Sequence, residues 1–185
     1  MPHVIDFEEI ENKLFLLQQL CYSGYSYCNE YQIASESNDS SVIRGDWIRY
    51  SSRLNVLISN YLIECAIKTR IMKEYLYNKD VINTREIEKE VIDGSVLGVF
   101  KNKSELTSIH KACNKIVHAI EVKPEWKTGK NEEGEEFEYW GGDVILVGEH
   151  HGDKWELNLY VDELSFRMHL FYNELHSRVD WVEIY

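Results

Sequence analysis

The sequence is poor in the residues and segments that mark several classes of protein. It has only 2 prolines and 10 glycines in 185 residues, which excludes collagen-like and low-complexity chains. No run approaches the roughly 18–20 apolar residues that a membrane-spanning helix needs. The N-terminus has no basic segment followed by an apolar run, so no secretory signal is expected. These absences predict a soluble cytoplasmic protein that has no membrane partner.

Basic residues and paired cysteines are also scarce. The chain has 20 Lys and Arg against 32 Asp and Glu, a formal net charge of −12, which disfavours non-specific coating of nucleic acid. A local basic groove remains compatible with this charge, because salt screens fields beyond roughly 8–10 Å. The 4 cysteines are scattered without a CxxC pair, which is typical of reduced, buried thiols in a cytosolic protein.

The apolar residues that are present predict one domain made mainly of helices. Hydrophobic residues make up 44% of the chain and aromatic residues 12%, enough for a core. Apolar side chains recur at steps of three and four, the pattern of amphipathic helices. The predicted helices are Phe7–Tyr31, Asp46–Tyr77, Thr84–Val91, Ser104–Ile120 and Val161–Leu175, with a polar loop at Ser35–Ser41.

One part of the chain has the pattern of strands. Asp143–Gly148 and Lys154–Tyr160 are predicted strands, joined as a hairpin at His151-Gly152-Asp153. Lys127–Glu136 is predicted to be a charged, exposed loop. The expected fold is a mainly α antiparallel helical bundle with a small antiparallel β-hairpin or sheet inserted before the last helix. Its parts are an N-terminal helix at 1–34, core helices at 45–121, the β insertion at 122–160 and a closing helix at 161–178.

Aromatic residues are concentrated around this insertion, and two interpretations were weighed for them. They can form a core that covers a helix face, or a platform on which bases stack. Neighbouring glutamates argue against nucleic acid there and favour the basic surface of a protein partner. The aromatic residues are Trp126, Phe137, Tyr139, Trp140 and Trp155, and the glutamates are Glu132, Glu133, Glu135, Glu136 and Glu138.

The fourth predicted helix carries the residues most suited to chemistry. Lys111, Asn114 or Lys115, and His118 fall at steps of three and four and therefore share a face. A histidine can move a proton near neutral pH, and a cation can stabilise a phosphorane. Such groups suit cleavage of RNA by its own 2′-hydroxyl. The alternative is that His118 only stabilises the helix C-terminus.

This helix resembles the signature helix of HEPN domains. Asn114, Lys115, Ile116 and His118 match the family pattern position by position, and Tyr61–Arg70 is similar to the long helix that pairs with it. The resemblance covers about residues 45–175 and implies a HEPN-like bundle, a homodimer, and a role in RNA-targeting, toxin–antitoxin or other bacterial defence systems. It also implies that Glu64 orients the ring of His118, as an alternative to a surface pair with Lys68.

The chain departs from the family where HEPN nucleases have an arginine, because Cys113 stands there. In those nucleases, arginine and histidine from two subunits form one composite site, and cysteine lacks the planar donor fork of arginine. The leading hypothesis is therefore a degenerate or attenuated member that binds RNA, a nucleotide or a protein. The alternatives are a metal-independent endoribonuclease with catalytic His118, Asn114 and Lys111, and an unrelated helical interaction domain.

Metal and cofactor sites are not predicted. His110, Cys113, Asn114 and His118 offer ligands from one helix only, and the turn around His150 and His151 is more simply a polar turn. The chain has no Walker loop, dinucleotide fingerprint or nucleophile elbow. Neither a cofactor nor a metal is therefore expected.

Overall fold

The computed structural model describes residues 6–31, 33, 45–150 and 152–181. Within these residues, the chain forms five helices and five strands. No helix in this described part is both long and apolar enough to cross a membrane. The elements are α1 Phe7–Glu30, α2 Gly45–Asn78, α3 Thr84–Ile92, β1 Gly98–Phe100, β2 Glu105–Leu106, α4 Ile109–Val117, β3 Ala119–Lys130, β4 Glu136–His150, β5 Asp153–Tyr160 and α5 Val161–Arg178.

The strands form one antiparallel sheet in the order β2-β1-β5-β4-β3. Along β4, buried residues alternate with half-buried ones, and the buried set includes Trp140, Val144 and Leu146. Helices α1 and α5 pack against β4. The half-buried set includes Asp143, which forms a cross-strand ion pair with Lys127 at 3.1 Å. The sheet therefore has an apolar face against the helices and a polar face that tolerates water.

The predicted mainly α bundle with a small inserted hairpin is wrong. Strands hold 25% of the described residues, and the protein is a mixed α/β fold with a five-stranded sheet. Strands β1 and β2 precede α4, so the β structure is not a single insertion at 122–160. These two strands have three and two residues, which is too short to show a period of two.

Half of the predicted loop at Lys127–Glu136 is strand. Strand β3 continues to Lys130, and β4 begins at Glu136 directly opposite it. Strand β3 lies at the sheet edge, where its residues are mostly exposed or half-buried, and its register shifts twice along β4. An edge strand needs few apolar residues, so its charged sequence does not show the alternation of a half-buried strand.

Four of the predicted helices are confirmed by α1, α2, α3 and α5, whereas the boundaries of α4 differ from the prediction. The helix begins at Ile109, because Ser108 is the N-cap whose hydroxyl accepts the Lys111 N–H at 3.2 Å. It ends at Val117, and the chain enters β3 two residues later. The predicted polar loop at Ser35–Ser41 lies outside the described residues.

Helices α1 and α2 pack antiparallel, as predicted, and ion pairs connect them. Glu9 pairs with both Lys13 and Lys68, and Lys13 also contacts Glu64 at 2.7 Å. The predicted pair between Glu64 and Lys68 is absent from these contacts, because each residue has its partner on α1. Glu64 is therefore engaged with α1, and its role in orienting His118 stays a prediction.

A close approach between α1 and the sheet explains the glycine in the middle of α1. A Cβ atom at Gly24 would lie 2.2 Å from the carbonyl oxygen of Trp140. Trp140 and Phe137 are buried, and Trp126 packs on Trp47 at 4.7 Å between ring centres. The aromatic residues of this region therefore contribute to the core, as the first of the two interpretations predicted.

Candidate functional site

A large groove lies between the C-terminal end of α2, helix α3 and the N-terminus of α4. Its volume is about 1040 Å³, at the upper end of the range for ligand pockets. We call it the α2–α3–α4 groove. It is lined by Lys73, Glu74, Tyr77, Asp80, Ile82, Asn83, Thr84, Arg85, Glu88, Lys89, Ile92, Gly94, Thr107, Ser108, His110 and Lys111.

A buried ion pair between Lys73 and Glu88 lies at the base of this groove. The two residues are 7% and 8% exposed, and they contact each other directly. One Glu88 oxygen also accepts the Ser108 hydroxyl at 2.6 Å and the His110 backbone N–H at 3.1 Å. Burial raises the pKa of Glu88, but Lys73 and these donors outweigh it, so the net pKa is lowered. Glu88 is therefore an anion that fixes the α4 N-terminus against α3.

His110 and Asn114 lie one turn apart on α4 and contact each other. The Asn114 amide nitrogen is 3.1 Å from Nε2 of His110. An amide NH₂ only donates, so Nε2 accepts and the proton of the neutral ring sits on Nδ1. Burial lowers the pKa of His110, and the positive charges of Lys73, Arg70 and Arg85 lower it further against the opposing effect of Glu88. The ring is therefore neutral at pH 7.

Three cations at the groove lack a carboxylate partner. Arg85 and Lys89 lie one turn apart on α3, and Lys111 lies on the first turn of α4. All three line the groove, and none of them forms an ion pair with any residue that the structure describes. Like charges at i and i+4 destabilise a helix by about 0.2–0.5 kcal/mol. The arrangement therefore favours an anionic ligand.

The α2 wall of the groove has a different character. Tyr77, in the last turn of α2, is 73% exposed. Glu74 precedes it by one turn, and Asp80 follows in the turn after the helix. The groove thus presents cations on its α3 and α4 side and an aromatic ring with two carboxylates on its α2 side.

The three predicted catalytic residues are distributed along α4 and do not meet at one point. Lys111 lines the groove, and Asn114 contacts His110. His118 is the C-cap residue, with an exposed side chain and a backbone N–H that donates to the Asn114 carbonyl at 3.1 Å. Seven residues of helix separate Lys111 from His118 by about 10 Å. The structure therefore places His110, rather than His118, beside Asn114 and Lys111.

The remaining signature positions of α4 face away from the groove. Cys113 is fully buried, and burial raises the pKa of its thiol to about 12. An arginine at this position would enter the core. The Lys115 ammonium lies 4.1 Å from the centre of the Trp155 ring and 5.6 Å from that of Phe100, and burial lowers its pKa. Lys115 is therefore held by cation–π contacts.

The metal alternatives find no geometric support in the described chain. Those residues contain no group of three or more His, Cys, Asp or Glu side chains placed to hold a metal ion. His151, which one alternative used, lies outside the described residues. His150 is described and engaged in interactions of its own.

Sequence reasoning missed Tyr77, Arg85, Lys89 and His110 as members of one site. Arg85 and Lys89 show the i, i+4 spacing of a helix face, but glutamates surround them in sequence, which hides the unpaired charge. Their position opposite α4 depends on the contact between Glu88 and Ser108, twenty residues apart. No short-range pattern predicts that contact.

Comparison with known proteins identified no relative of this chain. No protein-family model, no curated protein and no solved structure matches the chain.

Proposed function

We propose that this protein binds RNA and that the α2–α3–α4 groove holds the phosphate backbone. The observation that carries the proposal is the convergence of three unpaired cations, Arg85, Lys89 and Lys111, on one groove of a chain whose net charge is −12. Phosphate contacts supply most of the affinity in protein–nucleic acid complexes.

The groove supplies neutral donors and acceptors next to these cations. His110 is neutral at pH 7 and forms a contact with Asn114, so both can make hydrogen bonds to ribose or base. Of the three carboxylates in the groove, Glu88 is paired with Lys73, whereas Glu74 and Asp80 lie on the α2 side. The fields of acidic residues farther away fall off within about 8 Å at physiological salt. These features favour RNA over a ligand that is simply anionic.

The test is binding of a fluorescein-labelled single-stranded RNA of about 12 nucleotides, measured by anisotropy between about 50 and 200 mM salt. Arg85→Gln and Lys111→Gln should each weaken binding and reduce the salt slope by about 0.7, the value for one phosphate contact on a single strand. Lys154→Gln is the matched control, since Lys154 is an exposed lysine on β5 outside the groove. Absence of binding, or equal displacement by poly-glutamate, would show that the groove is not an RNA site.

A second candidate function is cleavage of the bound RNA without a metal, and the neutral His110 favours it. Nε2 of the neutral imidazole can accept the proton of a ribose 2′-hydroxyl when that hydroxyl replaces the Asn114 amide as its hydrogen-bond donor. Lys111 can stabilise the charge on the phosphorane. Incubation with RNA in EDTA tests this candidate. Loss of cleavage in His110→Ala but not in His118→Ala would place the reaction in the groove.

Loss of cleavage in His118→Ala but not in His110→Ala would instead favour the predicted site at His118. That site would be a composite one in a homodimer, which sedimentation or light scattering of the purified protein tests directly. Absence of cleavage in the native protein would leave binding as the function. The HEPN resemblance stays a prediction carried by Asn114, Lys115, Ile116 and His118, and so does a role in bacterial RNA-targeting or defence systems.

A further inference from the structure

The α2–α3–α4 groove has two chemically different walls. Its α3 and α4 side carries Arg85, Lys89 and Lys111, whereas its α2 side carries Tyr77, Glu74 and Asp80. A phosphate is attracted to the first wall and repelled by the carboxylates of the second. A nucleotide bound there therefore has only one favourable orientation, in which its phosphate faces α3 and α4 and its base faces α2.

The α2 wall has the features of a base-binding surface. Tyr77 exposes 73% of its surface, so its ring is open to stacking by an unpaired base. Glu74 lies three residues earlier on α2, which places it on the same helix face as Tyr77. Neither Glu74 nor Asp80 pairs with a cation among the described residues, so both can accept hydrogen bonds from a ligand.

We infer that the groove selects an unpaired nucleobase that carries an exocyclic amino group, stacked on Tyr77 and bound through that amino group by Glu74 or Asp80. Cytosine presents an amino donor at N4, which carboxylates accept, whereas uracil has a carbonyl acceptor there and would face a carboxylate unfavourably. A base within a duplex is stacked and paired, so the site takes single strands. This inference rests on the proposed RNA binding and adds the class of base.

The test compares cytidine and uridine homo-oligonucleotides of equal length, which are both pyrimidines and differ in the group at this position. The native protein should bind the cytidine oligomer about fivefold more tightly, at the low end of the range for one base contact because the carboxylates are exposed. The double variant Glu74→Gln, Asp80→Asn should lose this preference. Its overall affinity should be equal or higher, because two negative charges are removed.

Tyr77→Ala should weaken binding of the cytidine oligomer about tenfold without changing the salt slope, and Tyr77→Phe should retain binding, because the ring provides the stacking. Tyr22→Ala is the matched control, since Tyr22 lies on α1 outside the groove and is also 73% exposed. Equal affinity of the native protein for the two oligomers would overturn the base selection while leaving RNA binding intact. Equal effects of Tyr77→Ala and Tyr22→Ala would overturn the stacking role, and binding of neither oligomer would overturn the RNA proposal itself.

Discussion

Replacing Glu88 by alanine should destabilise the protein strongly, because Lys73 would remain buried without its counter-ion. Lys73 is only 7% exposed and packs beside the ring of Phe171, 5.2 Å from its centre. Removing one partner of a buried ion pair costs about 3–5 kcal/mol. A domain has only about 5–15 kcal/mol of stability in total, so a large shift of the unfolding midpoint is expected.

Two further variants separate the charge of Glu88 from its hydrogen bonds. Glu88→Gln keeps an oxygen that can accept from Ser108 and from the His110 N–H, and should lose less stability than alanine. The double variant Lys73→Met, Glu88→Met removes both charges. It should be more stable than Glu88→Ala, because no uncompensated charge remains.

The assay is urea unfolding followed by tryptophan fluorescence, with the free energy of unfolding obtained by linear extrapolation. Glu90→Gln is the control, since Glu90 is an exposed residue on α3 that pairs with Arg178 at 2.6 Å. The control should stay close to the native protein. If Glu88→Ala unfolded at the same urea concentration as Glu90→Gln, the buried pair between α2 and α3 would not stabilise the fold.

Two other predictions concern α1. Gly24→Ala should lower the melting temperature, because its Cβ would lie 2.2 Å from the backbone oxygen of Trp140. Such overpacking costs about 1–3 kcal/mol, which exceeds the gain of about 1 kcal/mol from the higher helix propensity of alanine. A higher melting temperature would contradict the close approach. The hydrogen bonds and charges of its two lysine partners lower the pKa of Glu9 from 4.5 to about 2. The Glu9 contribution to stability is therefore complete above about pH 4.5 and is lost as the pH falls towards 2. As the pH is lowered from 4.5 to 2, the melting temperature should fall more steeply for the native protein than for Glu9→Gln. Parallel curves of melting temperature against pH would show that the contacts of Glu9 do not stabilise the fold.

Local patterns were sufficient for the helices and for two of the strands. Helices α1, α2 and α5 bury one stripe each, so apolar residues recur every three or four positions and reveal them in sequence. Strands β4 and β5 each bury one face and show alternation, which is why the predictions at 143–148 and 154–160 agree with the sheet. The predicted start of the helix at Ser104 is wrong, because Ser104 and Ser108 are both of a residue type that caps helices and only tertiary contacts distinguish them.

The identity of the site residues was predicted in part. Lys111 and Asn114 were recognised from their spacing on one helix face, and Lys111 lines the groove. The histidine beside them is His110, because the helix begins at Ile109 and its first turn lines the groove. Spacing alone makes His118 an equal candidate. The spacing shows which residues share a helix face, but it does not show which end of the helix packs against another element.

The sequence by itself determined an acidic domain with amphipathic helices, one of which is rich in polar side chains suited to chemistry. These properties depend on composition and on residues a few positions apart. Only the tertiary structure decided the five-stranded sheet and the α2–α3–α4 groove. Strands β1 and β2 exist because β5 and a neighbouring strand complete their hydrogen bonds, and the groove exists because Glu88 accepts donors from a helix twenty residues away. Such contacts depend on the position of distant segments in space, which no periodicity along the chain records.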